Sequence, residues 1–365
     1  MNVQHLIPPW LASLAPYQPG KPIEEVEREY GIRDSIKLAS NENPLGPSPR
    51  AVAALAAAVH DVHRYPDGSG FALKNKLAAK LGIGADQVIL GNGSNEVLEL
   101  VARTFLRPGT EAVMSAQAFV VYASVVQAAA AIPRTVPLRD LTHDLDGILA
   151  AVRPSTRIVF LGNPNNPTGT IYRRPAFERF LRAIRRDVVV VADDAYAEYA
   201  DDPEYPDTLR DQHPERLLVT LRTFSKIYGL AGLRIGYGVA PAPVISQLER
   251  VRQPFNVNSL AQAAALAALD DDEHLERSRR ANAEGKQLLQ TEFGRLGLDF
   301  CPTQANFLLV RVGDGAAVTE RLLREGVIVR PMGIYGFADA IRVTIGTAAE
   351  NQRFVAALEK VLPHR

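Results

Sequence analysis

The sequence predicts an α/β protein whose large domain has a mostly parallel central sheet, joined to a smaller α+β domain. Three observations predict it. The chain has 365 residues, more than one ordinary hydrophobic core accommodates. Between Val88 and Ala240, short Val/Ile/Leu-rich runs alternate with amphipathic stretches of helical period. After Ser259 the alternation gives way to a long helical pattern and then to short strands mixed with helices.

Residues 1–45 read as an arm. Pro8, Pro9, Pro16, Pro19, Pro22 and Pro44 interrupt both helices and central strands, and only Glu24–Tyr30 carries a helical pattern. Residues 46–258 read as the large domain. Its strand candidates are Val88–Leu90, Ala112–Ser115, Arg157–Gly162, Val188–Ala192, Leu217–Leu221 and Ile235–Ala240. These runs are apolar throughout, as strands covered on both faces require. Glu96–Leu106, Pro175–Arg186 and Pro243–Arg252 supply helices between them. Residues 259–365 read as the smaller domain: a helical pattern to Leu296, a strand over Asn306–Val312 and a helix over Ala316–Glu325. Strands over Val327–Arg330 and Ala340–Ile345 and a last helix over Ala349–Val361 complete it.

Composition narrows the function classes. Lys+Arg and Asp+Glu both number 41, so the chain offers no overall field for nucleic acid or an anionic membrane. Its apolar stretches, Ala51–Val59 and Val120–Ile132, are too short and interrupted to span a bilayer. No secretory pattern opens the sequence. Cys301 is a single cysteine, which excludes an intrachain disulfide and a cysteine zinc cluster. These features predict a cytoplasmic protein without a metal site. His60 and His63 have helical spacing and no nearby third ligand, so they read as solvated.

Four stretches follow strand ends, where open α/β sheets bind ligands. Gly91-Asn-Gly93-Ser94-Asn95-Glu96 turns into a helix. It lacks the third glycine of a dinucleotide fingerprint but can present backbone N–H groups to a phosphate. Ser94 or Asn95 can equally serve as a plain helix cap. Asn163-Pro-Asn-Asn166-Pro-Thr-Gly169 is a rigid turn with fixed amide donors. Asp193-Asp194-Ala-Tyr196 puts an acid where an apolar strand emerges, and a buried acid there needs a cation. Asp194 reads as a surface acid. Thr223-Phe-Ser225-Lys226, followed by Arg234, brings a hydroxyl, an amine and a guanidinium together, a set suited to an aldehyde that also carries a phosphate.

In this order these stretches resemble the fold-type I aminotransferases of class I/II, which depend on pyridoxal 5′-phosphate (PLP), and within them the histidinol-phosphate aminotransferases. Tyr17-Gln-Pro-Gly-Lys-Pro, Ser40-Asn-Glu-Asn43-Pro-Leu-Gly-Pro, Arg64-Tyr65-Pro-Asp, Val329-Arg330-Pro and Arg342-Val-Thr-Ile-Gly-Thr extend the resemblance from Tyr17 to Leu362. The resemblance implies that Lys226 holds PLP covalently and later acts as general base, and that Asp193 pairs with the ring nitrogen. Tyr196 and Asn166 would contact the phenolic oxygen, and Phe119 would stack on the ring. Gly93, Ser94, Asn95, Ser225 and Arg234 would hold the phosphate, with Tyr65 reaching it from the second subunit of a homodimer. Tyr17, Asn43, Arg330 and Arg342 would bind substrate. The implied reaction moves the amine of histidinol phosphate to 2-oxoglutarate, giving glutamate; transamination of phenylalanine or tyrosine is the alternative. By the acid pair Asp-Asp and by Phe119, the chain departs from commoner Asp-Glu and tyrosine, keeping the first acid and an aromatic ring.

Overall fold

The structure, a computed structural model, describes residues 3–17, 20–210, 213 and 215–362. Its strands are β1 (Ile36–Lys37), β2 (Val88–Gly91), β3 (Glu111–Ser115), β4 (Ile132–Val136), β5 (Thr156–Gly162), β6 (Val189–Asp193), β7 (Leu218–Thr223), β8 (Gly236–Val239), β9 (Phe307–Arg311), β10 (Val327–Ile328), β11 (Arg330–Pro331) and β12 (Ala340–Thr344). Seven of them form the central sheet in the order β2-β8-β7-β6-β5-β3-β4. The β7–β6–β5–β3–β4 pairings are parallel, whereas β8 runs antiparallel to both of its neighbours.

The apolar runs are continuous because both faces of this sheet are covered. On β5, Ile158 and Phe160 pack into one core with Val97, Val101 and Val244 of the helices Gly93–Phe105 and Ala242–Glu249. Val159 and Leu161 point the other way, into a core with Ile148, Phe177 and Phe180 from helices Leu145–Ala151 and Arg174–Ala183. Each such side chain removed from water contributes ~1.5–3 kcal/mol. The parallel registers place Gly162 opposite Asp193 and Asp193 opposite Leu221. β5 and β6 therefore end level, β7 runs two residues further, and the loops after all three open on the same edge.

A second unit joins β11-β12-β9 to helices Asp272–Arg295, Gly315–Arg324 and Ala348–Val361 around Phe293, Leu308, Val318 and Phe354. The arm is tied to it: β1 pairs with β10, and Leu38 enters this core.

The observed elements depart from the sequence expectations in three places. The helical pattern after Ser259 is two helices, Ser259–Ala268 and Asp272–Arg295, with Asp271 capping the second through its side chain. The first carries Ala261, Ala264 and Ala265 into a core with Leu73, Leu77 and Tyr237, so it packs with the large unit rather than the small one. The strand expected over Val327–Arg330 is divided between β10 and β11, which belong to different sheets.

Candidate active site

The carboxyl edge of the sheet opens into a cavity of about 180 Å³. Ser94, Asn95, Phe119, Asn166, Asp193, Tyr196, Ser225, Lys226 and Arg234 line it, and from the arm and small unit so do Tyr17, Arg330 and Arg342. Elements far apart in sequence thus converge, as loops opening on one sheet edge allow.

Lys226 follows β7. Its amine donates to the Ser40 carbonyl at 2.9 Å. Burial, with Arg342 and Arg234 nearby, pulls the amine down to about 8 from its ordinary 10.5. Asp193 ends β6. Burial pushes it up to about 6, against the pull of the Tyr122 hydroxyl, which donates to its Oδ2 at 2.8 Å. Its Oδ1 is buried and has no hydrogen-bond partner. A carboxylate oxygen stranded in this way is destabilising unless a donor arrives.

The Tyr196 oxygen accepts from Asn41 Nδ2 at 2.9 Å and from Asn166 Nδ2 at 3.5 Å. With both amides donating, its own proton is free to point into the cavity. Burial still pushes this phenol up to about 12, so it is a donor at neutral pH.

The turn before helix Gly93–Phe105 approaches Arg234 closely. A Cβ on Gly93, whose φ is +71°, would stand 2.5 Å from Arg234 Nη2, and a Cβ on Gly236 would stand 2.5 Å from the Ser94 amide nitrogen. Only glycines allow this approach. Asn92 is the cap residue, but it is Glu96 that closes the turn, accepting from the Asn92 N–H at 2.6 Å. Ser94 and Asn95 are therefore not consumed as caps. Arg234, itself at φ +57°, reaches Ser225 Oγ at 3.4 Å. Backbone N–H groups, a helix N-terminus, a hydroxyl and a guanidinium make an anion seat.

Across the cavity lies a second cationic group. Arg330 and Arg342 stand opposite each other in the β11–β12 register. Arg342 is buried, donating to Asn166 Oδ1 at 2.5 Å and to the Ala39 carbonyl at 2.8 Å. The Arg330 guanidinium lies 5.7 Å from the Tyr17 ring centroid.

Two expected residues stand elsewhere. Asn43 is behind the wall, donating to the Ile227 carbonyl at 2.7 Å and Ser278 Oγ at 2.9 Å while its own Oδ1 takes the Leu45 N–H. These contacts leave it no group for a substrate. Asn41, two residues earlier, lines the cavity instead. Tyr65 is 83% exposed and stacked on Phe255 with ring centroids 4.8 Å apart, outside the cavity of its own chain. Asp194 is not a surface acid: it is fully buried, takes the Thr208 hydroxyl at 2.7 Å and faces Arg222. Sequence reasoning missed Asn41, Tyr122 and Tyr335, which also line the cavity. Asn41 shares the Ser40–Asn43 motif, and Tyr122 lies one helical turn beyond Phe119, so both had a local signal; Tyr335 had none. Among the described residues, no group of three or more His, Cys, Asp or Glu side chains could hold a metal, and no helix is long and apolar enough to cross a membrane.

The comparisons with known proteins agree with this geometry. The aminotransferase class I and II profile matches residues 33–358, and the chain belongs to that family. Its relatives include histidinol-phosphate aminotransferases. It is 52% identical over 364 residues to histidinol-phosphate aminotransferase 2 of Pseudomonas aeruginosa, covering 98% of each chain. It is 49% identical over 354 residues to the histidinol-phosphate aminotransferase of Moorella thermoacetica, covering 96% of this chain and 92% of that protein. The crystal structure of histidinol-phosphate aminotransferase from Sinorhizobium meliloti in complex with pyridoxal-5′-phosphate superposes with a TM-score of 0.90 at 29% identity, covering 98% and 97% of the two chains.

The cavity fits that cofactor on its own features. The partnerless Asp193 oxygen calls for a cationic N–H donor. The glycine-lined turn beside Arg234 calls for a phosphate. Between them stands a buried amine with a depressed pKa, the state in which lysine reacts with an aldehyde.

Proposed function

We propose that this chain is a PLP-dependent aminotransferase that takes the amine of L-histidinol phosphate and delivers it to 2-oxoglutarate, giving imidazole acetol phosphate and glutamate in histidine biosynthesis. One observation carries the reading: two separate anion seats, Ser94–Asn95/Ser225/Arg234 and Arg330/Arg342, lie in one cavity with Lys226. The first suits the cofactor's phosphate. The second suits a phosphate or carboxylate of the substrate, so it can receive the phosphate of histidinol phosphate and then a carboxylate of 2-oxoglutarate. Near 50% identity over almost the whole chain to proteins named for histidinol phosphate supports that substrate.

Bound PLP supplies an aldehyde carbon and a protonated ring that accepts the electron pair of a breaking C–H bond. The residues do the rest. Lys226 holds the cofactor through its amine. When not bonded to the cofactor, Lys226 Nζ would stand as the general base for the proton on the substrate carbon that carries the amine. Asp193 Oδ1 would accept from the ring nitrogen and favour its protonated form. Tyr196 and Asn166 would hold the phenolic oxygen, and Phe119 would stack on the ring. Arg330 and Arg342 fix the far anion, with Tyr17 at the mouth, while Asn41 holds the Tyr196 oxygen.

The test is a half-reaction. PLP-loaded protein is mixed separately with histidinol phosphate and with phenylalanine, and the yellow absorbance of the bound cofactor is followed. The expected result is loss of the band at a histidinol phosphate concentration at least ~10-fold lower, the difference made by one well-placed charged contact. A tighter response to phenylalanine moves the assignment to an aromatic aminotransferase.

The same reading makes the enzyme a cytoplasmic homodimer. Tyr65 and Phe255 stack on each other and are exposed on the single chain, and a second copy packed there would bring Tyr65 to the partner's phosphate seat. Tyr65→Phe is expected to weaken PLP retention. Mixing it with Lys226→Ala subunits should restore wild-type retention at one site per mixed dimer. No restoration in any mixture would refute the shared site.

A further inference from the structure

Tyr122 has no part in the reaction as described above, yet its position relative to Asp193 is unusual. It is fully buried in helix Val121–Ala128, with its ring stacked on Phe160 at 5.1 Å and 7° and met edge-on by Phe119 at 5.7 Å. Its hydroxyl donates to Asp193 Oδ2 at 2.8 Å, while Asp193 Oδ1 is left without a partner. The two oxygens of one carboxylate are thus treated differently: one is anchored and the other is held open. An ionised carboxylate can only accept, so the hydrogen bond runs from phenol to acid.

We propose that Tyr122 is a positioning residue for the ring-nitrogen contact, turning Asp193 so that Oδ1 faces the cofactor and keeping the carboxylate ionised. The proposal rests on the PLP reading above. Burial raises the Tyr122 phenol well above its ordinary range, so it stays a donor throughout the working pH range. The other titratable groups acting on Asp193 are Lys226, which favours its charge, and Asp194, Tyr172 and Tyr196. Tyr122 is distinguished from these by a direct hydrogen bond to the carboxylate. Without it, the buried carboxylate would lose the donor that most favours its charge. The carboxyl would then take up a proton more readily and support a protonated ring nitrogen less well.

The roles separate in the phenylalanine variant, because Tyr122→Phe keeps the ring contacts with Phe160 and Phe119 and removes only the hydroxyl. The holoenzyme is prepared with PLP labelled at the ring nitrogen with ¹⁵N, and the nitrogen shift is followed against pH. The expected result is that the nitrogen loses its proton at a lower pH in the variant. PLP dissociation should become ~10–100-fold easier and kcat fall by a similar factor, with KM little changed, the factor a charged hydrogen bond carries. Incorporating 3-fluorotyrosine at position 122, a stronger donor that keeps the fold, should shift the nitrogen titration the opposite way. An unchanged nitrogen titration in both variants would overturn the proposal. Asp193→Asn is the control. If it too leaves the nitrogen titration unchanged, the cofactor reading itself fails; if it collapses the titration while Tyr122→Phe does not, only the role of Tyr122 is lost.

Discussion

Lys226→Ala is expected to lower turnover by about 10⁴-fold or more, because one substitution removes both the covalent attachment and the general base. The fold should not suffer. In the wild-type apo chain the amine titrates at about 8 rather than 10.5, mainly through burial. The folded chain therefore binds fewer protons than the unfolded chain between those two values. Stability rises with pH across that window, and below about pH 8 the protonated amine is a standing destabilisation of up to about 3 kcal/mol. Removing it should leave the apo variant melting at the same temperature as the parent or above it near neutral pH. Turnover is measured with histidinol phosphate and 2-oxoglutarate, and melting by circular dichroism. Turnover within 10-fold of the parent would sink the mechanism. A large fall in melting temperature would show that Lys226 holds the structure instead.

The outcome for Lys226 was legible in the sequence because its signals are local. A strand end, a short loop and a fixed order of residue types put Lys226, Asp193, Asn166 and Ser94 at one sheet edge without knowledge of the pairing. What the sequence did not carry is what depends on contacts between distant segments. Asn41 and Asn43 are chemically identical neighbours within one motif, and only the packing of the arm against β12 decides that Asn41 meets Tyr196 while Asn43 is spent on Ile227 and Ser278. β4 escaped notice because Ile132–Val136 contains Pro133 and two polar residues, a pattern that suits an edge strand and nothing more interior. The antiparallel direction of β8 left no trace either, since a covered strand shows the same apolar run in both directions.

Arg222 is the clearest residue of this kind, and its replacement carries the second large effect. It stands on β7 among apolar neighbours, and its guanidinium reaches Glu198 at 3.1 Å, Asp207 at 3.4 Å and Asp194 at 3.7 Å. Its side chain is 8% exposed and that of Asp194 fully buried. Even with the cation present, burial pushes Asp194 up to about 7. Arg222→Met fills much of the same volume but strands these acids, and breaking a buried ion pair on one side destabilises by about 3–5 kcal/mol. For a chain of this size the expected fall in melting temperature is roughly 4–7 °C. The pH dependence gives the diagnostic sign. In the parent Asp194 already keeps its proton in the folded chain up to about pH 7, and without the cation it keeps it to higher pH still. The deficit against the parent should therefore shrink as pH falls from about 9 towards about 7 and level off below that. Thermal melts of the two proteins across that range decide it. A constant or growing deficit on acidification would mean that Arg222 acts by packing rather than by neutralising Asp194. The effect would then belong to the core beneath the site and not to the charge that lets two adjacent acids, Asp193 and Asp194, both be buried at the end of one strand.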